Sequence, residues 1–519
     1  MYQYIIKNAL VYSGLKEEAR KLDVAIQDDR IAKISAHIPS DAALQVVDAD
    51  GLILCPGFID PHASTGLGYY FPNAATHKLY QGVTTEIIGN CGTSTAPVGP
   101  HLVTTMEKIG TQMGFVFNWR TLGEYFDTIR EQLPFNIATL IGHSSLRKGY
   151  LTDWQQPKVE EMQQMRNALR DSMKEGALGI STGLIYAPGC FAETQEIVDL
   201  AEVVKNAGGV YASHIRDERD KLEEAVDEAL EIGALTKVPV LISHLKAAER
   251  QNWGKIKKVL AKIEAYNKKH SPKALVDVYP YTATSTKLRA FIPKYLLADG
   301  IENLPQKLEE TDAIDHIEQW LDTKGYDLSQ MLIISKDWKM FAGKTVTQVA
   351  EEQDWSLAQT IANILKTSTE VWVVYHCIDE KDMDEAILWE HSMICSDSWS
   401  YPVNAPNPIG EPHPRSYGAF TEFLERYVLQ QKSLSWAEAI HKISYLPAQF
   451  FGLVGRGEIK EGNFADLILL DPLKVKANAT YLEPRRLSSG VEHLWINGRM
   501  VIHHQELVAH DAGRVLIKS

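Results

Sequence analysis

Residues 208–244 read GGVYASHIRDERDKLEEAVDEALEIGALTKVPVLISH, and this stretch decides the architecture. GGVYASH and VPVLISH are short apolar runs that end in Ser-His, as strands do when they open onto a polar rim. Between them Leu222, Ala225, Val226, Ala229 and Leu230 recur at the helical spacing. Strand, helix, strand at this length is a βαβ unit, whose two strands run parallel and side by side.

Working outward, runs of the same texture occur at 53–60, 83–88, 136–141, 177–181, 274–279 and 393–396, with helical patterns between them. With the first two they make eight strands, which predicts an α/β fold: a closed (β/α)8 barrel of the TIM type rather than an open sheet. The spacing is regular to about residue 285, after which roughly a hundred residues precede the last strand. Residues 287–344, with helical stretches and an extra strand at 331–334, read as an insertion near the barrel mouth. The two ends differ from the middle. Short strands at 2–9 and 24–34 match those at 465–470, 494–496 and 500–502, the last two joined by Asn497-Gly498, a type I′ hairpin signal. Residues 1–55 and 451–519 are therefore expected to build one small β-sandwich domain beside a barrel spanning 56–450.

Composition excludes several classes. In 519 residues, 53 Lys and Arg stand against 67 Asp and Glu, a net charge of −14 that argues against nucleic-acid or anionic-membrane partners. The N-terminus carries no signal-peptide pattern and no run of about 18 apolar residues occurs, so a cytoplasmic protein is expected. Cys55, Cys91, Cys190, Cys377 and Cys395 are few, odd in number and scattered, which is no disulfide framework. A cysteine with a role here is a metal ligand or a nucleophile.

Strand ends of such a barrel converge on one mouth. His214 and His244 occupy equivalent points of successive units. Either alone fits a structural role. As a pair on strands about 4.8 Å apart they can close on one ion, with Zn–N bonds of about 2.0–2.1 Å. Cys91, in GVTTEIIGNCG at the end of the second strand, completes a His₂Cys set that leaves a fourth position open for water. His62 lies just past the first strand in PGFIDPHAS and Asp397 just past the eighth in MICSDS, so the two meet only if the barrel closes. A carboxylate beside a metal-activated water is a natural general base. Asp397 alone also fits a helix cap or a solvated loop. Lys246, Tyr279, Tyr186 and Arg415 follow other strands, and Lys with Arg suits a small anionic substrate.

The motifs PGFIDPH, GVTTEIIGNCG, GHSSLR, EGALGISTGLIYAPG, SHIRDE, ISHLKAA, DVYPYTA, HPRSYGAF and EGNFADLILLDP, in this order along the chain, resemble the D-aminoacylase family of the amidohydrolase superfamily. The resemblance implies hydrolysis of the amide of N-acyl-D-amino acids to a carboxylate and a free D-amino acid. It implies zinc held by Cys91, His214 and His244, with Asp397 as base then acid. Lys246, Tyr279 and Arg415 would hold the substrate carboxylate and Tyr186 would contact the substrate. The D preference comes from the resemblance alone. One departure stands out: the family's first strand ends in HxH, whereas this chain reads His62-Ala63-Ser64. One firmly held zinc is therefore expected, with His62 a marginal ligand or hydrogen-bond partner. The departure leaves two other readings open: a catalytically weakened binding or scaffold protein, and a cyclic-amide hydrolase of the same superfamily. A carboxylated-lysine site is not apparent, because the fourth strand reads ALGISTGL with no lysine. The acyl group, the side chain and the oligomeric state are not legible.

Overall fold

The computed structural model describes residues 1–71, 74–334, 341–399 and 411–518. Eight parallel strands follow one another in chain order around a barrel: Phe58–Asp60, Val83–Ile88, Asn136–Gly142, Gly179–Gly183, Val210–His214, Val240–Ile242, Ala274–Val278 and Ser392–Ile394. Within the unit quoted first, Tyr211 pairs with Val240, Ala212 with Leu241 and Ser213 with Ile242. The connecting helix Leu222–Thr236 buries Leu222, Ala225, Val226, Ala229 and Leu230, the five positions its periodicity marks. Leu222, Val226 and Leu230 each contribute roughly 1.5–3 kcal/mol by leaving water, and the two alanines less.

The first and eighth strands meet just past their ends. Asp397 N donates to His62 O (3.0 Å), Ser64 N donates to Ser398 O (2.9 Å), and Ala63 bridges Ser398 in parallel. This closure sets His62 beside Asp397. The barrel interior is filled by Ile59, Ile87, Leu140, Ala212, Leu241 and Met393, and Ala448, Phe451 and Leu453 pack against them from one end.

The run 53–60 is two strands, not one. Ile53–Pro56 belongs to the sheet of the chain termini and Phe58–Asp60 to the barrel. Gly57 is the joint: a Cβ there would lie 2.0 Å from Thr84 Oγ1, so only glycine lets the chain pass this close to the second barrel strand. The terminal sheet has nine strands, five from the first 56 residues and four from Leu467 onward. Its core joins Ile6, Val24, Ile26 and Leu54 to Leu467, Leu469 and Trp495. Between the seventh and eighth barrel strands lies a three-stranded antiparallel sheet in which Trp372–His376 pairs with Ala283–Lys287 and with Met331–Ile333. Residues 335–340 of the expected insertion lie outside the described residues.

Candidate metal centre

Cys91, His244 and Asp397 each take up a left-handed backbone, with φ of 50°, 37° and 44°. Non-glycine residues rarely do so, and such strain gathers where side chains must be aimed. Here it turns each chain sharply after its strand and points the side chain across the mouth. Gly92, at φ +74°, lets the Cys91 turn pack onto the fourth strand; a Cβ on it would stand 2.7 Å from Gly183 N.

The donor atoms converge. Cys91 Sγ lies 3.5 Å from His214 Nδ1, 3.3 Å from His244 Nε2 and 3.2 Å from His62 Nε2. Zn–S of about 2.3 Å and Zn–N of about 2.0–2.1 Å at the tetrahedral angle put ligand S and N about 3.5 Å apart, so the spacing suits one zinc ion. His62 Nε2 is also 3.5 Å from Asp397 Oδ1. His62, Cys91, His244 and Asp397 thus form one compact ligand group, and His214, Glu218 and His244 an overlapping one.

Electrostatics favours a cation in both. Burial would raise the Cys91 thiol, but the charges of His62 and His244 and hydrogen bonds from His214 and His244 hold it well below its usual value. Burial would lower His62, yet Cys91 and Asp277 raise it well above the usual imidazole range. Burial and Lys246 oppose protonation of His244, which Cys91, Asp397 and Glu218 nevertheless push up to about 9. Thiolate and carboxylates together draw positive charge onto the imidazoles of His62 and His244, whereas burial lowers His214, and a divalent ion can supply that charge in place of the protons.

Two carboxylates not singled out from the sequence orient these rings. Buried Asp277 accepts from His244 N at 2.7 Å through Oδ1 and pairs His62 Nδ1 at 3.4 Å through Oδ2. Glu218 Oε1 is 3.0 Å from His244 Nδ1, and its Oε2 is 3.8 Å from His214 Nε2. Carboxylates behind metal-ligating histidines fix ring orientation and raise ligand basicity. Glu218 follows His214 by four residues in SHIRDE, and Asp277 is an acid inside an apolar strand; both signals are visible in the chain.

The remaining expected residues stand around this group. Arg415 Nη2 pairs Asp397 Oδ2 at 3.0 Å, and its guanidinium lies 4.6 Å from the Tyr279 ring centre. Arg415 Nε and Nη1 are buried without a hydrogen-bond partner among the described residues. Lys246 Nζ is 2.8 Å from His244 Nδ1, shares the Glu218 carboxylate, and sits 5.6 Å from the Tyr279 ring centre. The Tyr186 ring lies 4.9 Å from that of His214. Ser64, where a second histidine is expected, is held through its backbone by Ser398. Burial would raise Asp397, but Arg415, then His244 and His62, hold it far below the usual carboxylate range.

The amidohydrolase family model matches residues 45–352 and 405–502, most of the chain. The chain belongs to the amidohydrolase family. Among amidohydrolases it is similar to the D-aminoacylase of Alcaligenes xylosoxydans xylosoxydans, 30% identical over 100% of this chain and 98% of the other. The N-acyl-D-glutamate deacylase of the same organism is 33% identical, over 99% and 96% of the two chains. A crystal structure of the Bordetella bronchiseptica N-acyl-D-glutamate deacylase, in complex with zinc and a phosphonate mimic of the tetrahedral intermediate, superposes with a TM-score of 0.84. It is 28% identical, with 100% of both chains covered. The amidohydrolase resemblance legible in the motifs therefore extends over the whole chain, down to the D-aminoacylase branch.

Proposed function

We propose that this chain is a zinc-dependent hydrolase that cleaves the amide of N-acyl-D-amino acids to a carboxylate and a free D-amino acid. The observation that carries the reading is the spacing of one thiolate and two imidazoles, 3.5 and 3.3 Å from Cys91 Sγ, suited to a single zinc beside Asp397. Cys91, His214 and His244 hold the ion, and His62, whose Nε2 lies 3.2 Å from Cys91 Sγ, stands beside them as a marginal ligand. Bound there, zinc acts as a Lewis acid on the acyl carbonyl and makes water acidic enough to attack.

The chain's own residues do the rest. Asp397, whose Oδ1 faces His62 while Oδ2 is held by Arg415, takes a proton from the attacking water and returns it to the leaving nitrogen. Arg415 keeps this carboxylate ionised before attack. The two unpartnered nitrogens of Arg415 and the ammonium of Lys246, both against the Tyr279 ring, hold the substrate carboxylate. Fixing that carboxylate makes attack effectively intramolecular. Tyr186, against His214, bounds the substrate on the other side.

The deciding experiment follows free amine release from N-acetyl-D- and N-acetyl-L-amino acids, with and without a chelator. Release from the D series that stops on chelation and returns with zinc is the expected result. Activity confined to a cyclic amide, or no turnover with zinc bound, would overturn the reading in favour of another amidohydrolase reaction or a binding protein.

A further inference from the structure

Cys91 stands in a short turn past the end of a strand, and the turn has to be held for the sulfur to be aimed. The second barrel strand ends at Ile88, and Gly89, Cys91 and Gly92 then follow with φ of 79°, 50° and 74°. A run of left-handed residues leaves the strand ladder, so its backbone groups need other partners. Two of them share one. Ser181 Oγ donates to Gly89 O at 2.5 Å and accepts from Gly92 N at 3.0 Å, so a single hydroxyl closes the turn on either side of Asn90 and Cys91.

Ser181 reaches the turn from a distance. It lies buried on the fourth strand, Gly179–Gly183, which is not a neighbour of the second: the third strand pairs with both. Side chains of alternate strands meet in the same layer of a barrel interior, and this brings the hydroxyl across to the turn. Other contacts hold other atoms. Asn90 Nδ2 donates to Ile87 O at 2.9 Å, and Ser145 N donates to Gly92 O at 3.2 Å. Neither reaches Gly89 O or Gly92 N, so a methyl group at position 181 strips both of the hydroxyl, on residues sealed from water. The turn then relaxes toward ordinary φ, and the Cys91 side chain swings with it.

We propose that Ser181 is a positioning residue for the metal centre: by closing the Gly89–Gly92 turn, its hydroxyl keeps Cys91 Sγ within ligand distance of His214 and His244. The inference rests on the ligand set proposed above. Ser181 itself touches neither the ligand atoms nor the substrate carboxylate clamp, so its effect runs through Cys91 alone.

The test uses two readouts. Competition with a chelator gives the affinity for zinc, and the protein loaded with cobalt(II) reports the thiolate directly, through sulfur-to-cobalt charge-transfer absorption. Ser181→Ala is expected to weaken zinc about 10–100-fold and to diminish or shift that absorption. Wild-type affinity with wild-type absorption in the variant overturns the inference. Weakened zinc with the absorption unchanged overturns it as well, because the loss then does not pass through Cys91. If the alanine variant does not fold, Ser181→Gly takes the same two measurements. Cys91→Ala separates the two readings: absorption that survives it defeats the ligand assignment itself, whereas absorption that Cys91→Ala abolishes and Ser181→Ala leaves intact defeats only the role of Ser181.

Discussion

Asp397 carries two partners that pull its chemistry in different directions. Arg415 holds one oxygen as an ion, while the other oxygen faces His62 at the edge of the ligand group. Replacing the carboxylate by an amide of the same shape keeps the surroundings and removes the proton acceptor. Asp397→Asn should therefore lower kcat about 10²–10⁴-fold while zinc stays bound, as read by kinetics alongside metal analysis of the dialysed protein. Turnover close to that of the wild type would show that another group is the base. Glu218 acts one step further out, on Nδ1 of His244. Glu218→Gln removes the charge behind that ring and should weaken zinc about 10–100-fold in a competition titration with a chelator, with Glu218→Asp recovering part of it. Equal zinc affinity in all three proteins would leave Glu218 with no part in holding the ring.

Strands and loops differ in how much of their role shows in the chain. The Ser-His endings of 210–214 and 238–244 indicate the proposed ligand pair because a residue past a barrel strand has few places to point. The division of 53–60 into two strands was hidden because both pieces are fully buried, so the run is apolar up to its last residue, Asp60, and only Pro56-Gly57 marks the joint. Also hidden was the buried network of Lys78, Asp60, Glu86 and Ser396, which links the first, second and eighth strands beneath the mouth. Its members lie up to 336 residues apart, and no local pattern announces such contacts. Lys78 reaches Asp60 Oδ2 at 2.8 Å and pairs Glu86 as well, with all three side chains sealed from water. Asp60 in turn accepts from His62 N and Ser396 N, so it sets the loops that carry His62 and Asp397. Lys78→Met leaves two buried carboxylates without their cation. It should cost about 3–5 kcal/mol in urea unfolding. A loss below about 1 kcal/mol would mean that the network is no more than a surface-grade ion pair.

For the molecule as a whole, the two termini share a sheet, so the stability of that sheet ties the chain ends to the barrel between them. In that sheet His493 on Val491–Ile496 pairs with His503 on Arg499–His503, and the His504 ring lies 4.6 Å from the His493 ring. Burial, then the charges of His504 and His503, lower the imidazole of His493 from 6.5 to about 4. In the window between those values the unfolded chain binds a proton that the folded chain refuses. Stability therefore falls as pH drops from 6.5 to about 4, and this contribution is constant above 6.5. A tenfold change in proton affinity is worth about 1.36 kcal/mol, so the loss attached to this one side chain is at most about 3 kcal/mol, less whatever solvent screens. His493→Phe keeps a ring against Trp495, which stacks on His493 at 5.7 Å, and removes the titration. Urea unfolding at pH 7.5 and pH 4.5 should then show a smaller acid-induced loss in the variant than in the wild type, by up to about 3 kcal/mol. Equal losses in the two proteins would place the acid sensitivity elsewhere, outside the sheet that joins the chain ends.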